Sequence, residues 1–257
     1  SGLVGSEMCI KRQIEQQELL ASPVVLGLNH DRHGLAEVQQ GRLLVGELMC
    51  VACHLGADTV KKVGPNLLDV GRRVDPSFIK EFIVNPMGMD PGTQMPSLLG
   101  DLPKAKRDEV AEALTHFLVN LSAKEFVRGA AKAAEYAVGR KLFNKIGCLS
   151  CHESERGINL AHVPLKYGID SLTAFLFQPL HTRPSGRMPD MNLTRDEARS
   201  IAGYLIGMEE GEGLRLKPEA AKVTSGKKYF EQFNCASCHE VPGMKAKPSL
   251  AFDNLRP

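Results

Sequence analysis

Three copies of one five-residue pattern constrain this chain more than anything else in it: Cys50-Val-Ala-Cys53-His54, Cys148-Leu-Ser-Cys151-His152 and Cys235-Ala-Ser-Cys238-His239. They absorb six of its seven cysteines. The copies belong to a longer repeat, a regularity to be sought before any fold is named. Gly41, Gly139 and Gly226 each lie nine residues before the first cysteine of their motif, each followed by Arg or Lys and an amphipathic run. Apolar residues at three- and four-residue intervals in these runs predict a helix leading into every motif. The glycine either lets a second helix approach closely or simply opens the first turn.

Cys-x-x-Cys followed at once by His is a haem attachment pattern. Two thiols one helical turn apart can add to the two vinyl groups on one edge of a haem, and the adjacent imidazole can bind the iron axially. A single Cys-x-x-Cys would also suit a zinc knuckle or a thioredoxin-like redox pair. Zinc needs paired ligand sets at finger-like separation, and either alternative leaves three histidines unexplained. The predicted cofactors are therefore three haem c groups, attached through Cys50, Cys53, Cys148, Cys151, Cys235 and Cys238, with His54, His152 and His239 as proximal ligands.

Composition agrees. The 257 residues suit two or three units, yet tryptophan is absent and aromatics make up only 5%. A haem in each unit would supply the missing apolar bulk. With 32 basic and 30 acidic residues and no basic run, nucleic acid is not an expected partner. No apolar stretch reaches the roughly 18 residues of a membrane span. The opening Ser1-Gly2-Leu3-Val4-Gly5-Ser6 has neither the basic head nor the apolar body of a signal peptide, so a mature or trimmed form is expected. Cys9 reads as a free or partner-linked thiol.

A second helix closes the first two units: Lys104 to Leu121, and Thr194 to Ile206, the latter opening on Thr194-Arg-Asp-Glu197 in the form of a capping box. The order of helix with glycine, Cys-x-x-Cys-His, Met-Pro loop and closing helix with an aromatic residue resembles the class I cytochrome c domain. The resemblance covers nearly all of residues 37–257. It implies an all-α fold of tandem class I cytochrome c domains, two complete and one partial. The corresponding division is an N-terminal extension (1–36), domain 1 (37–121), a linker (122–135), domain 2 (136–207), a linker (208–224) and a partial domain 3 (225–257).

Domains of this class usually bind the sixth position of the iron through a methionine from the loop before the last helix. The resemblance assigns that role to Met95 in Pro91-Gly-Thr-Gln-Met95-Pro96 and to Met188 in Pro184-Ser-Gly-Arg-Met188-Pro189. Asn85-Pro86 and Gln178-Pro179 precede these loops in register, and Met87, Met89 and Met191 read as core filler or loop residues. Gly64-Pro65-Asn66-Leu67 resembles the family segment whose proline carbonyl holds the proximal imidazole, which makes Pro65 a cofactor-site residue. In unit two, Gly157-Ile158-Asn159-Leu160 and Val163-Pro164-Leu165 compete for that role. His116 and His162 read as solvated or hydrogen-bonded side chains, whereas His181, His30 and His33 are minor ligand candidates. Unit three ends 18 residues after His239. Its sixth ligand lies beyond Pro257 in a longer natural chain, comes from another segment or subunit, or is missing so that the site is open.

Met/His ligation raises the reduction potential and closes iron to substrates. The resemblance thus implies an electron-transfer protein with redox partner proteins and no catalytic activity of its own. The alternative is the electron-supplying or catalytic part of a multihaem oxidoreductase, of peroxidase or sulfur-oxidising type, with the third haem reactive. Gly-Glu-Leu-x-Cys in unit one and Arg-Pro-Ser-Gly-Arg-Met-Pro in unit two are also similar to cytochrome domains of large multidomain secreted bacterial proteins, which would make the chain part of a larger polypeptide or complex. Covalent haem attachment implies a periplasmic or extracellular bacterial setting.

Overall fold

The computed structural model describes residues 36–47, 50, 64–90, 93–152, 159–184, 186, 188–209, 213 and 215–247. Cys9, His30, His33, Cys53 and His54 lie outside the described residues. Within them the regular structure is helical, with no strand. The helices are α1 (Glu37–Glu47), α2 (Val70–Arg73), α3 (Pro76–Val84), α4 (Pro86–Met89), α5 (Lys104–Asn120), α6 (Ala133–Ile146), α7 (Leu149–His152), α8 (Val163–Lys166), α9 (Ile169–Phe177), α10 (Pro179–Thr182), α11 (Arg195–Ile206) and α12 (Ala220–Gln232). None is long and apolar enough to cross a membrane.

Local chemistry explains where these helices begin and end. At α3 the Asp75 carboxylate accepts the Ser77 amide at 2.8 Å and proline occupies the first turn, where its missing N–H costs nothing. At α11 the capping box forms as the sequence predicts: Thr194 Oγ1 accepts the Glu197 amide at 3.3 Å, and Glu197 accepts the Thr194 amide at 2.9 Å. Helix α6 stops at Gly147, whose φ of 95° belongs to the left-handed region, a conformation that glycine adopts without a Cβ penalty.

Two long helix pairs carry most of the core, α6 on α11 and α12 on α5. Glycine sets the closeness of both. A Cβ at Gly139 would stand 1.8 Å from the Ser200 carbonyl oxygen, and one at Gly226 would stand 2.0 Å from that of Ala113. One turn further on, Phe143 meets Tyr204 with ring centroids 5.5 Å apart, and Phe230 meets Phe117 at 5.4 Å. The close-approach role of the glycine is thus realised at two of its three positions. At Gly41 an added Cβ meets nothing within 4 Å.

The two pairs join through equivalent loops. Val74 and Tyr167, each just before the N-cap of its unit's second helix, form a lone antiparallel bridge, and the Asp75 amide donates to the Lys166 carbonyl at 3.0 Å. The segment from Ser122 to Glu135, read from sequence as a linker, is stitched into this framework. Phe126 is buried, the Ala131 amide donates to the Gly207 carbonyl at 3.0 Å, and Arg128 donates to the carbonyls of Pro164, Ile206 and Glu209 at 3.2–3.3 Å. A guanidinium at the α11 C-terminus satisfies carbonyls left without intrahelical partners. That accounts for the segment's order. Its last residues already belong to α6, just as Ala220 to Thr224 of the second predicted linker belong to α12.

Candidate cofactor site

The second and third motifs fold into the same turn. In each, the amides of the second cysteine and of the histidine donate to the carbonyl of the first cysteine, at 3.2 and 3.0 Å from Cys151 and His152 to Cys148, and at the same distances from Cys238 and His239 to Cys235. A left-handed residue, Gly147 or Asn234, delivers the preceding helix into the turn. Of the first motif, Cys50 is described and is half-buried.

The first thiol of each of these two turns is held in its protonated form. Burial pushes the Cys235 thiol up to about 11 and raises the Cys148 thiol as well, whereas reactive cysteines have depressed values. Cys148 and Cys235 are free thiols, so neither motif is closed as a disulfide. Among the described residues, no three His, Cys, Asp or Glu side chains converge on a point where a bare metal ion could sit.

The imidazole of His239 is set as an axial ligand requires. Its Nδ1 lies 2.9 Å from the Pro65 carbonyl, an acceptor only, so Nδ1 carries the proton and Nε2 keeps its lone pair. Burial holds the ring below the usual histidine value, in the neutral form that binds metal. The Pro65 carbonyl thus meets the imidazole of the third motif, while His54, the histidine of its own unit, lies outside the described residues. Two main-chain bonds flank this contact, from the Gly64 amide to the Cys238 carbonyl at 2.8 Å and from the Leu67 amide to the Glu240 carbonyl at 3.4 Å.

Unit two shows which of its two segments is equivalent to Pro65. The Asn66 side chain accepts the Leu68 amide at 2.7 Å and the Asn159 side chain accepts the Ala161 amide at 2.6 Å. This shared turn aligns Gly157-Ile158-Asn159-Leu160 with Gly64-Pro65-Asn66-Leu67, while the Pro164 carbonyl is engaged by Arg128. Ile158 itself lies outside the described residues.

Each turn borders an open pocket lined by both polar and apolar side chains. The one beside His152 has a volume of about 420 Å³ and is lined by Tyr136, Phe143, Leu160, Tyr204 and Leu205 among others. The one beside His239, about 330 Å³, includes Ala236, Val241 and Met244. Both volumes fall in the range of small-molecule sites. Paired cysteines, a neutral imidazole with one fixed tautomer and an adjoining pocket of mixed lining suit a covalently held tetrapyrrole. Met95 and Met188 are half-buried and pack against the hydrophobic core. His181 is exposed on α10, His162 is half-buried and His116 is buried.

Sequence reasoning missed a buried charge cluster where the two methionine loops begin. Lys166, 5% exposed, places its Nζ over the rings of Phe78, Tyr167 and Phe82 at 4.9, 5.3 and 5.6 Å and 3.8 Å from the Asp90 carboxylate. Burial lowers its pKa. Asp90 and Arg183 occupy the same register position, just ahead of Pro91 and Pro184, and stand 3.9 Å apart. Arg183 also donates to the Tyr167 hydroxyl at 2.8 Å. A lone lysine in Pro164-Leu165-Lys166-Tyr167 carries no sequence signal of such burial. Compared with protein-family models, curated proteins and solved structures, the chain matches none.

Proposed function

We propose that this chain is a multihaem c-type cytochrome that carries electrons through three covalently bound haems, built from class I cytochrome c units. The observation that carries this reading is the orientation of His239, held by the Pro65 carbonyl beside Cys235 and Cys238. That arrangement suits a neutral axial ligand whose orientation is set from behind. Bound haem supplies one-electron chemistry at iron.

The protein's own residues do the rest. Cys50, Cys53, Cys148, Cys151, Cys235 and Cys238 hold the rings by thioether bonds, and His54, His152 and His239 take one axial position each. Met95 and Met188, from their Met-Pro loops, would supply a thioether sulfur as second ligand to two of the irons. Phe143 and Tyr204 line the pocket beside His152, and a low-dielectric surround helps to set the potential. Redox partner proteins are the expected donors and acceptors, in a periplasmic or extracellular setting.

The test is direct. Chain matured with a haem-attachment system should carry three haems by intact mass, and its ferric form should show a near-infrared methionine-to-iron band that shrinks on Met188→Ala and again on Met95→Ala. A mass without haem, or a band untouched by both substitutions, ends the proposal. The rival reading, an oxidoreductase with one reactive haem, gains support only if the reduced protein binds carbon monoxide and turns over peroxide.

A further inference from the structure

We infer that residues 64–121 form the distal half of the third motif's site, so that Met95 serves the iron held by His239 and not the iron held by the nearer His54. The inference rests on the haem reading above. It reverses the assignment by chain order, in which the first motif owns the first methionine loop and the third stands incomplete.

Helix α12 occupies a face of α5. Gly226 seats α12 against the Ala113 backbone, Phe230 is 1% exposed against Phe117, and Tyr229 donates to Glu109 at 2.8 Å. Lys222 bonds Glu112 at 2.5 Å. The Glu219 amide donates to Nδ1 of buried His116 at 3.1 Å. This contact matches that of α6 on α11 in both its glycine and its ring pair, so α12 holds the position an N-terminal helix takes in a complete unit. The chain then turns so that Cys238, His239 and Glu240 each bond the segment from Gly64 to Leu67.

Helix α1 fits that face less well. Aligned on the glycines, Val45 would replace Phe230, Leu44 would replace Tyr229 and its hydroxyl, and Glu37 would replace Lys222 opposite Glu112. A ring becomes a smaller side chain, a hydrogen bond is lost, and an ion pair becomes a like-charge contact. The iron at His54 must then complete its coordination from outside 64–121.

Removing the first haem separates the two assignments. The haem-loaded variant Cys50→Ala/Cys53→Ala should keep both upfield-shifted methionine methyl resonances in the NMR spectrum of the reduced protein, and adding Met95→Ala should remove one of the two. Loss of one resonance on Cys50→Ala/Cys53→Ala alone overturns the inference. Two glycine variants give an independent check: Gly226→Leu should lose the Met95 resonance and Gly41→Leu should keep it, and the opposite pattern overturns the pairing. Zero-length carbodiimide coupling should join Lys222 to Glu112 in the loaded wild-type protein, and no such link in a three-haem protein counts against the pairing. A chain whose mass shows no haem instead fails the underlying reading and takes the ligand assignment with it.

Discussion

The unit spanning 133–206 and the unit assembled from α12 and residues 64–121 have the same anatomy but different pedigrees. In the first, helix, motif, methionine loop and closing helix follow one another along the chain. In the second, the closing helix precedes its partner by about a hundred residues, and the Pro65–His239 contact spans 174 positions. The continuous unit relies on local devices such as the Thr194 capping box and the Gly147 stop. The composite unit relies on long-range polar contacts, Lys222–Glu112, Tyr229–Glu109 and Glu219–His116. Its closing helix starts at Pro103 with no side-chain cap. A unit of this kind is thus defined by two faces that recognise each other, and chain order need not decide which faces meet.

The strongest way to break this comparison is to empty one ring contact at a time. Phe230→Ala should destabilise the composite unit by about 3–5 kcal/mol, and Phe143→Ala should do the same to the continuous one. Urea titration with site-resolved hydrogen exchange should report loss of protection in α5 and α12 for the first variant, and in α6 and α11 for the second. Equal loss in all four helices for either variant would mean that the pairs fold as one block.

Acid should separate the two units next. Burial, and then Lys222, hold His116 below the ordinary histidine value of about 6.5, and as an acceptor of the Glu219 amide its Nδ1 must be unprotonated. With a depressed folded-state value, the unfolded chain takes up the proton first. The resulting stability is complete above about 6.5 and is lost as pH falls through that value towards the folded one. Glu219, Glu112 and Lys80 share the surroundings of the ring. Exchange in α12 should accelerate between pH 7.5 and pH 5.5 more than exchange in α6, and equal acceleration would remove His116 as the cause.

The smallest expected effect sharpens the contrast in capping. Thr194→Ala should cost the continuous unit about 1 kcal/mol and leave α12 and α5 unchanged in thermal unfolding. Pro103→Ser should add up to about 1 kcal/mol to the composite unit by supplying the missing side-chain acceptor.

Local features were legible in the sequence because local chemistry specifies them. The closing helices were predicted as Lys104 to Leu121 and Thr194 to Ile206 and form as Lys104–Asn120 and Arg195–Ile206. Amphipathic spacing and the capping box were enough for that. The glycines at 139 and 226 were legible as candidates for close approach, but Gly41 carries the same signature without the contact. Which N-terminal helix would meet α5 was harder, since both candidates bring a glycine followed by a basic residue. The distinguishing signals were Val45 against Phe230 and Glu37 against Lys222, and they acquire meaning only once Glu112 and Phe117 are known to face the same helix. Lys166 illustrates the remaining limit, because a charge buried among rings depends on two loops nearly a hundred residues apart arriving together.

A contact between residue 65 and residue 239 is also a statement about time. Synthesis proceeds at roughly 5–20 residues per second, so α5 leaves the ribosome on the order of ten seconds before α12 exists. During that interval α1 and then α6 are available to cover the face of Phe117, until α6 pairs with α11. The final arrangement then requires any early α1 docking to be surrendered to the later, better-matched helix. Slow long-range closure of this kind makes the age of the nascent chain, as much as its sequence, a determinant of which histidine meets Pro65.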